Sequence, residues 1–240
     1  MQSHGNHRRT DRRTVPGRRA GRSRGDDTRQ RILAAALDVF AAEGYEGTTT
    51  RRLADVAAVN LPAIQYYFGS KAGLYRAAIA HHVATMESRV APAADKVSLA
   101  LAEGNLSRRQ ALALLCLMLD TFAALVADQT FPDWKSRAMF FARAEIEPSA
   151  ALDPLHDWAE RRIFRPCAAL IGLLIDRPAG EEATLLRTLT VFGQILMFCN
   201  YKVQHILDWP EIDGTRVRAI QTLVREHTQA IFRSVGKPRP

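Results

Sequence analysis

The stretch TTTRRLADVAAVNLPAIQYYFGSK, Thr48 to Lys71, decides the reading of this chain. Thr49 is of the residue type that caps a helix, because its hydroxyl can accept from an orphan amide of the first turn. Leu53, Val56 and Ala57 follow at i, i+3 and i+4 spacing, the buried side of a short helix. Val59 plugs a tight turn. Asn60 is a strong cap for a second short helix, and Pro62 falls in its first turn, where a missing amide proton costs little. Ala63, Ile64 and Phe68 form its buried side. Leu61, Pro62, Gln65 and Tyr66 then face away from any core, with Tyr67 at the edge.

Two short helices with an exposed second face suit insertion into a DNA groove. Gln65 can make a bidentate contact to adenine, and Leu61 and Pro62 can pack on thymine methyls. Thr50, Tyr66, Tyr67 and Lys71 suit phosphates, which set register but carry no sequence information. The amides at Asn60 and the start of the second helix can also hold a phosphate. The DNA-contact set is therefore Thr49, Thr50, Asn60, Leu61, Pro62, Gln65, Tyr66, Tyr67 and Lys71. The competing reading of Tyr66 and Tyr67 is a half-buried aromatic pair of a helical bundle.

The run Thr48, Thr49, Leu53, Ala54, Ala57, Ala58, Val59, Asn60, Pro62, Ile64, Gln65, Tyr67, Phe68, Ser70, Lys71 resembles the helix-turn-helix of the TetR family of bacterial regulators. Phe40, Gly44 and Tyr45 upstream agree with the same pattern. Val59-Asn60-Leu61 through Gly69-Ser70-Lys71 looks like the CecR-type branch of that family. So do the segments around Arg143, Glu145 and Pro148-Ser149, and Phe164-Arg165-Pro166. Ala58, Asn60, Pro62 and Gln65 depart from the commoner glycine, serine, glycine and tyrosine. The resemblance implies an all-α fold with a three-helix DNA-binding domain and a helical regulatory domain. It also implies a homodimer through the last two helices, a double-stranded DNA operator, a small-molecule effector, and repression as the default.

Composition sets outer bounds. Hydrophobic residues make up 47% of 240, which excludes global disorder. Net charge is +8, favouring a polyanionic partner. Residues 1–25 hold eight arginines against the single acid Asp11, or +7, and leave +1 for the rest. That segment has little to bury and reads as a disordered arm. It either adds phosphate contacts or is a solvated tail without a specific role. Driven by such an arm alone, the chain would be a nonspecific or architectural nucleic-acid binder, the alternative function. Cys116, Cys167 and Cys199 lie in apolar helical surroundings and read as buried thiols of a cytoplasmic protein. No apolar run reads as a membrane span and no secretory signal is expected. No glycine-rich phosphate loop or nucleophile elbow points to an enzyme.

The chain divides into the arm (1–25), the helix-turn-helix domain (26–72) and an all-helical ligand-binding and dimerisation domain (73–236). A first helix over about 28–43 is capped at Asp27, with Gln30 in capping-box spacing, and ends in a left-handed cap at Gly44. Ser70 caps a longer helix that stops near residue 90, short of Pro92. Its His81 and His82 read as exposed. Ser107 caps a helix to about Asp128, and a turn over 129–135 leads to a helix over about 134–146. Asp153 caps a further helix that kinks or breaks at Pro166 and ends near Asp176. Two helices, about 181–208 and 214–235, finish the chain. Their apolar sets are Leu185, Leu189, Phe192, Leu196, Cys199, Val203, Ile206 and Val217, Ile220, Val224, Ile231. Periodicity leaves open whether they close the subunit's own core or pair with a second copy.

Candidate effector contacts, implied by the resemblance to a pocket-bearing regulator, are Phe122, Trp134, Met139, Phe140, Arg143, Trp158 and Phe192. The same residues fit an ordinary core. Asp153, His156, Asp157 and Glu160 share a helical face at metal-ligand spacing, but acids in a first turn also answer the helix dipole. No metal or cofactor is expected.

Overall fold

The computed structural model describes residues 24–127, 129, 134, 136, 138, 139, 142, 152–199 and 201–234. Every regular element among them is helical. Helix α1 (Arg24–Gly47), α2 (Thr50–Val56), α3 (Leu61–Phe68) and α4 (Lys71–Glu103) come first. Helix α5 (Arg108–Ala127), α6 (Asp153–Ala159), α7 (Arg165–Ile175), α8 (Glu182–Leu196), α9 (Tyr201–Leu207) and α10 (Gly214–Ser234) follow. One continuous apolar core runs from Ile32 to Phe232.

α1 packs along α4, and the seam is aromatic. Phe40 meets Tyr75 edge-on at 4.7 Å, and Tyr45 meets Tyr75 at 4.9 Å. Such pairs hold a little beyond their buried area. α1 begins at Arg24, inside the expected arm, so Asp27 sits within the first turn and is not the cap. Asp26 and Asp27 there suit the positive end of the helix dipole. Gly44 breaks the helix as its lack of a Cβ permits, at φ 73°, but its ψ of 170° is extended rather than left-handed helical. A last turn follows to Gly47.

α4 runs through Pro92 to Glu103 rather than ending near residue 90. Proline removes one backbone hydrogen bond, but Val90, Ala93, Ala94 and Val97 are buried on both sides of it while Pro92 faces solvent. Tertiary packing therefore outweighs the lost bond. The expectation of two exposed histidines is also overturned. His82 is 1% exposed. His81 is half-buried, and burial followed by the charge of Arg29 lowers its pKa below the usual histidine value.

α5 is capped as expected. The Ser107 hydroxyl accepts from the Gln110 amide at 3.3 Å, and Gln110 Oε1 accepts the Ser107 amide in return at 2.9 Å. By length and composition this helix is apolar enough to cross a membrane, contrary to the expectation that no run reaches that length. Its buried side, Ala111 to Ala127, instead packs on α4, α7, α8 and α10. Cys116 and Cys167 are buried free thiols whose pKa values burial pushes upward. The Cys199 side chain lies outside the described residues.

α6 starts at Asp153 with no side-chain cap, so the expected Asp153 cap is corrected: the acid lies in the first turn, with Leu152 in the cap position. The irregularity expected at Pro166 appears one turn earlier, as a π turn over Glu160–Phe164. The Arg165 amide donates to Glu160 O, five residues back. Asp157 pairs with Arg161 at 3.7 Å, and Glu160 with Arg165 at 2.8 Å. α7 ends at Asp176, at φ 55° and ψ 52°. The expected helix 181–208 is divided into α8, a 3-10 turn at Met197–Cys199 and α9. Asp213 caps α10 by accepting the Thr215 and Arg216 amides at 3.0 and 2.9 Å. These amides hold its carboxyl below the usual range. Val217, Ile220 and Val224 are buried as expected, but the last anchor is Phe232, with Ile231 37% exposed.

Candidate nucleic-acid interface

The three-helix head is fixed by caps at each helix start after the first. Thr49 Oγ1 accepts the Arg52 amide at 3.1 Å, Asn60 Oδ1 the Ala63 amide at 3.1 Å, and Ser70 Oγ the Gly73 amide at 3.0 Å. Each such cap contributes about 1 kcal/mol. α2 buries Leu53, Ala54 and Ala57, while Val56 is 41% exposed and leaves the expected core face to Ala54. Ile64 anchors α3 at 2% exposure, with Ala63, Tyr67 and Phe68 half-buried beside it.

That anchoring leaves the opposite side of α3 open. Leu61, Pro62, Gln65 and Tyr66 are all exposed, and Tyr66 is 83% exposed. Tyr67 stands edge-on to Tyr66 at 5.0 Å. The face combines one amide fork, two aromatic hydroxyl-bearing rings and two apolar contacts on a rigid eight-residue helix. Such a face can meet base edges in a major groove. Thr49 and Asn60, at exposed helix starts, and half-buried Thr50 border it.

Lys71 has a structural task as well. Its ammonium donates to Tyr45 O at 2.8 Å and Thr48 O at 2.9 Å, and lies 4.3 Å from the Tyr45 ring centre. It fastens the start of α4 to the link between α1 and α2. Three features escape a reading of residue types alone. Ala58 holds the turn at φ 50°. Gly73 lies so close to α3 that a Cβ there would meet Phe68 O at 2.0 Å. Arg51 is exposed on α2 next to Thr50, whereas Arg52 pairs with Glu43 at 3.0 Å. Of the three, only Arg51 had a signal in the sequence, an arginine two residues after the Thr49 cap.

The candidate effector residues are partly brought together. Phe122 and Phe192 are buried edge to face at 5.0 Å, and Phe164 joins Phe192 at 4.9 Å. Trp158 is buried and donates its indole N–H to Glu87 Oε2 of α4 at 2.7 Å. Arg162 of the π turn reaches the same Glu87 at 2.7 Å and Asp95 at 2.6 Å. Trp134 and Met139 are half-buried, while Phe140 and Arg143 lie outside the described residues, as does most of the expected helix over 134–146. Clefts of about 500 Å3 beside Leu101 and Leu173, and about 930 Å3 between α5 and α10, are lined by other residues.

α8 is apolar on two sides. Val191, Phe192 and Ile195 face the core, while Leu185, Leu186, Leu189 and Leu196 are 44–58% exposed at helical spacing. Leu223 of α10 is 43% exposed.

Comparison with known proteins agrees with this geometry. Residues 32–78 match the family described as bacterial regulatory proteins, tetR family. Residues 111–235 match the C-terminal domain of the HTH-type transcriptional dual regulator CecR. The CecR regulator of Shigella flexneri is 26% identical over 216 residues, covering 89% of this chain and 95% of that protein. The HTH-type transcriptional regulator RutR of Escherichia coli O157:H7 is 31% identical over 184 residues, covering 69% of this chain and 87% of its own. A TetR-like transcriptional regulator from Rhodococcus sp. RHA1 superposes with a TM-score of 0.60 at 20% identity, covering 88% of this chain and 97% of its own.

Proposed function

This chain belongs to the TetR family of bacterial transcriptional regulators, and on that premise we propose that it works as a two-fold dimer holding two α3 helices in successive major grooves. A small-molecule effector releases it from its operator, so that it represses in the effector's absence. The observation that carries the reading is the open face of α3, Leu61, Pro62, Gln65 and Tyr66, set on the buried anchor Ile64. A dimer sets its two reading helices one DNA turn apart, about 34–36 Å, or a multiple of it.

The exposed leucines of α8 and Leu223 support pairing with a second copy. These leucines are already about half buried, so covering the rest of each is worth about 1 kcal/mol, and an apolar stripe of this kind marks an interaction surface. The effector side of the reading is supported by Trp158 and Arg162, which both hold Glu87 on α4. A ligand that displaces Trp158 changes the restraint on the helix that follows α3. It shifts the population only as far as it binds one arrangement better than the other.

Selection from a random duplex pool, with the parent chain and Gln65→Ala in parallel, tests the reading. The expected outcome is a two-fold-symmetric consensus, relaxed at one position per half-site in the variant by about 1–3 kcal/mol of discrimination. A pool that converges on no consensus rejects it.

A further inference from the structure

The cleft between α5 and α10 carries a charge that the DNA-binding reading does not use. It holds about 930 Å3 and is lined by four arginines, Arg108, Arg109, Arg225 and Arg233, against the single acid Asp120, a net +3. The two helices run antiparallel along it. At one end Arg108 donates to Phe232 O at 2.6 Å. At the other Arg225 donates to Asp120, and Gln221 donates to Asp120 O at 2.8 Å. From residue 108 to residue 120 is about 18 Å of helix.

The charge is not spread evenly. At the Asp120 end the one acid answers Arg225. At the opposite end Arg108 is held by the carbonyls of Leu174 and Phe232, and exposed Arg233 donates to the neutral Gln229 at 3.0 Å. Exposed Arg109 has no polar partner among the described residues. Between the two ends the lining is apolar, with Leu112, Ala113, Leu117 and the buried ring of Phe232. The groove therefore has a cationic pole, an apolar floor and a balanced far end.

The molecule itself offers no anion for that pole. α5 starts just after α4 ends, so Arg108 and Arg109 lie at the tip of a helix about 50 Å long whose other end joins the head. A duplex held by α3 does not reach them. A second copy presents the same +3. Residues 235–240 bring Lys237 and Arg239 and no acidic side chain.

We propose that this groove binds an amphipathic anion, a single aliphatic chain ending in a carboxylate or a phosphate. The charged group sits at Arg109 and Arg233, and the chain lies over Leu112, Ala113 and Leu117. Guanidinium forks bond either oxyanion in pairs, and a groove of this volume between helices is of the size that holds a small molecule. The site shares no residue with the Phe122, Phe164 and Phe192 cluster, and it stands apart from the DNA-binding reading.

Titration calorimetry on the full chain tests it, with dodecyl phosphate and dodecanoate each below its micelle-forming concentration. Saturable binding of one molecule per chain by either probe is expected, and the tighter of the two identifies the head group. Octyl phosphate should bind more weakly, by about fourfold for each methylene the groove covers. Arg109→Gln with Arg233→Gln should weaken binding about tenfold or more. Ala113→Trp, at an exposed position, should fill the groove and abolish binding with helical content unchanged. No saturable binding by either probe overturns the proposal. So does an affinity that neither variant changes, an affinity independent of chain length, or equal binding of dodecyltrimethylammonium. Tighter binding of a polyglutamate peptide than of either probe assigns the groove to a protein partner and overturns it as well. Operator selection on the same preparations is a separate readout, so failure here leaves the regulator reading intact.

Discussion

The head (α1–α3) and the α8–α10 end of the molecule both leave large apolar side chains in solvent, but in different company. On α3, exposed Leu61 and Tyr66 are interrupted by Pro62 and Gln65, on a helix fastened by an asparagine cap and one buried isoleucine. On α8 four leucines are exposed at helical spacing, beside exposed Arg187 and Thr190, and the helix is already packed on its other side. A mixed face with hydrogen-bonding groups suits a groove whose edges alternate donor, acceptor and methyl. A stripe dominated by leucines recognises chiefly another apolar surface. The same measure, exposure, thus points to two different partners once the neighbouring residue types are considered.

The comparison can be broken most severely at α8. Leu186→Glu with Leu189→Glu places two charges on the proposed dimer face, and sedimentation should find a monomer whose operator affinity falls at least about a hundredfold. Its helical content should be unchanged, because neither side chain enters the core. A dimer that survives the double change assigns that face to something other than self-pairing. Where α4 meets the head, Gly73→Ala is expected to be nearly as damaging to DNA binding for a different reason. Its Cβ meets the backbone of Phe68, and overpacking of this kind costs about 1–3 kcal/mol. Urea unfolding should register that loss, and the alanine chain should bind operator weakly with the dimer intact. The smallest effect is a gain. Ala58→Gly relieves a positive φ and should raise stability by up to about 1 kcal/mol, with the selected operator unchanged.

The two regions also differ in how legibly the sequence encodes them. In the head, structure is set by residues that act within four positions of themselves. Thr49, Asn60 and Ser70 cap as their side chains dictate, and a five-residue window finds them. Val56 was misread because a seven-residue helix shows too little periodicity to separate Ala54 from Val56 as the inward position. Beyond α4 the deciding contacts are distant. Pro92 is tolerated because flanking residues are buried against helices far along the chain. Pro166 marks an irregularity but not its form, a π turn one turn earlier, and the division of α8 from α9 has no local marker of comparable strength. His82 was legible and missed: it falls at i+4 from Ala78, i+3 from Ile79 and four before Met86, on the buried stripe of α4, whereas His81 lies beside that stripe and is half-buried. The open face of α3 was readable because exposure there is the complement of a short, well-capped core. The way candidate residues Phe122 and Phe192 sit with Phe164 was not, because the three rings meet only after three helices have been assembled.

The ammonium of Lys71 has a mechanical consequence. By tying the first residue of α4 to Tyr45 and Thr48, it makes the head and α4 turn together. With 33 residues, α4 is a rod about 50 Å long. A tilt of only about 4° about one end of such a rod carries the other end roughly 3.5 Å, comparable to the rise of one base pair. Glu87, at its middle, and Asp95, about 12 Å further along, are held by Arg162 and would be the grip on this lever in the proposed regulator. The same tilt carries Glu87, at mid-rod, by about 1.7 Å, enough to break its 2.7 Å pair with Arg162, so in the proposed regulator the state of that pair and the position of the reading helix are linked.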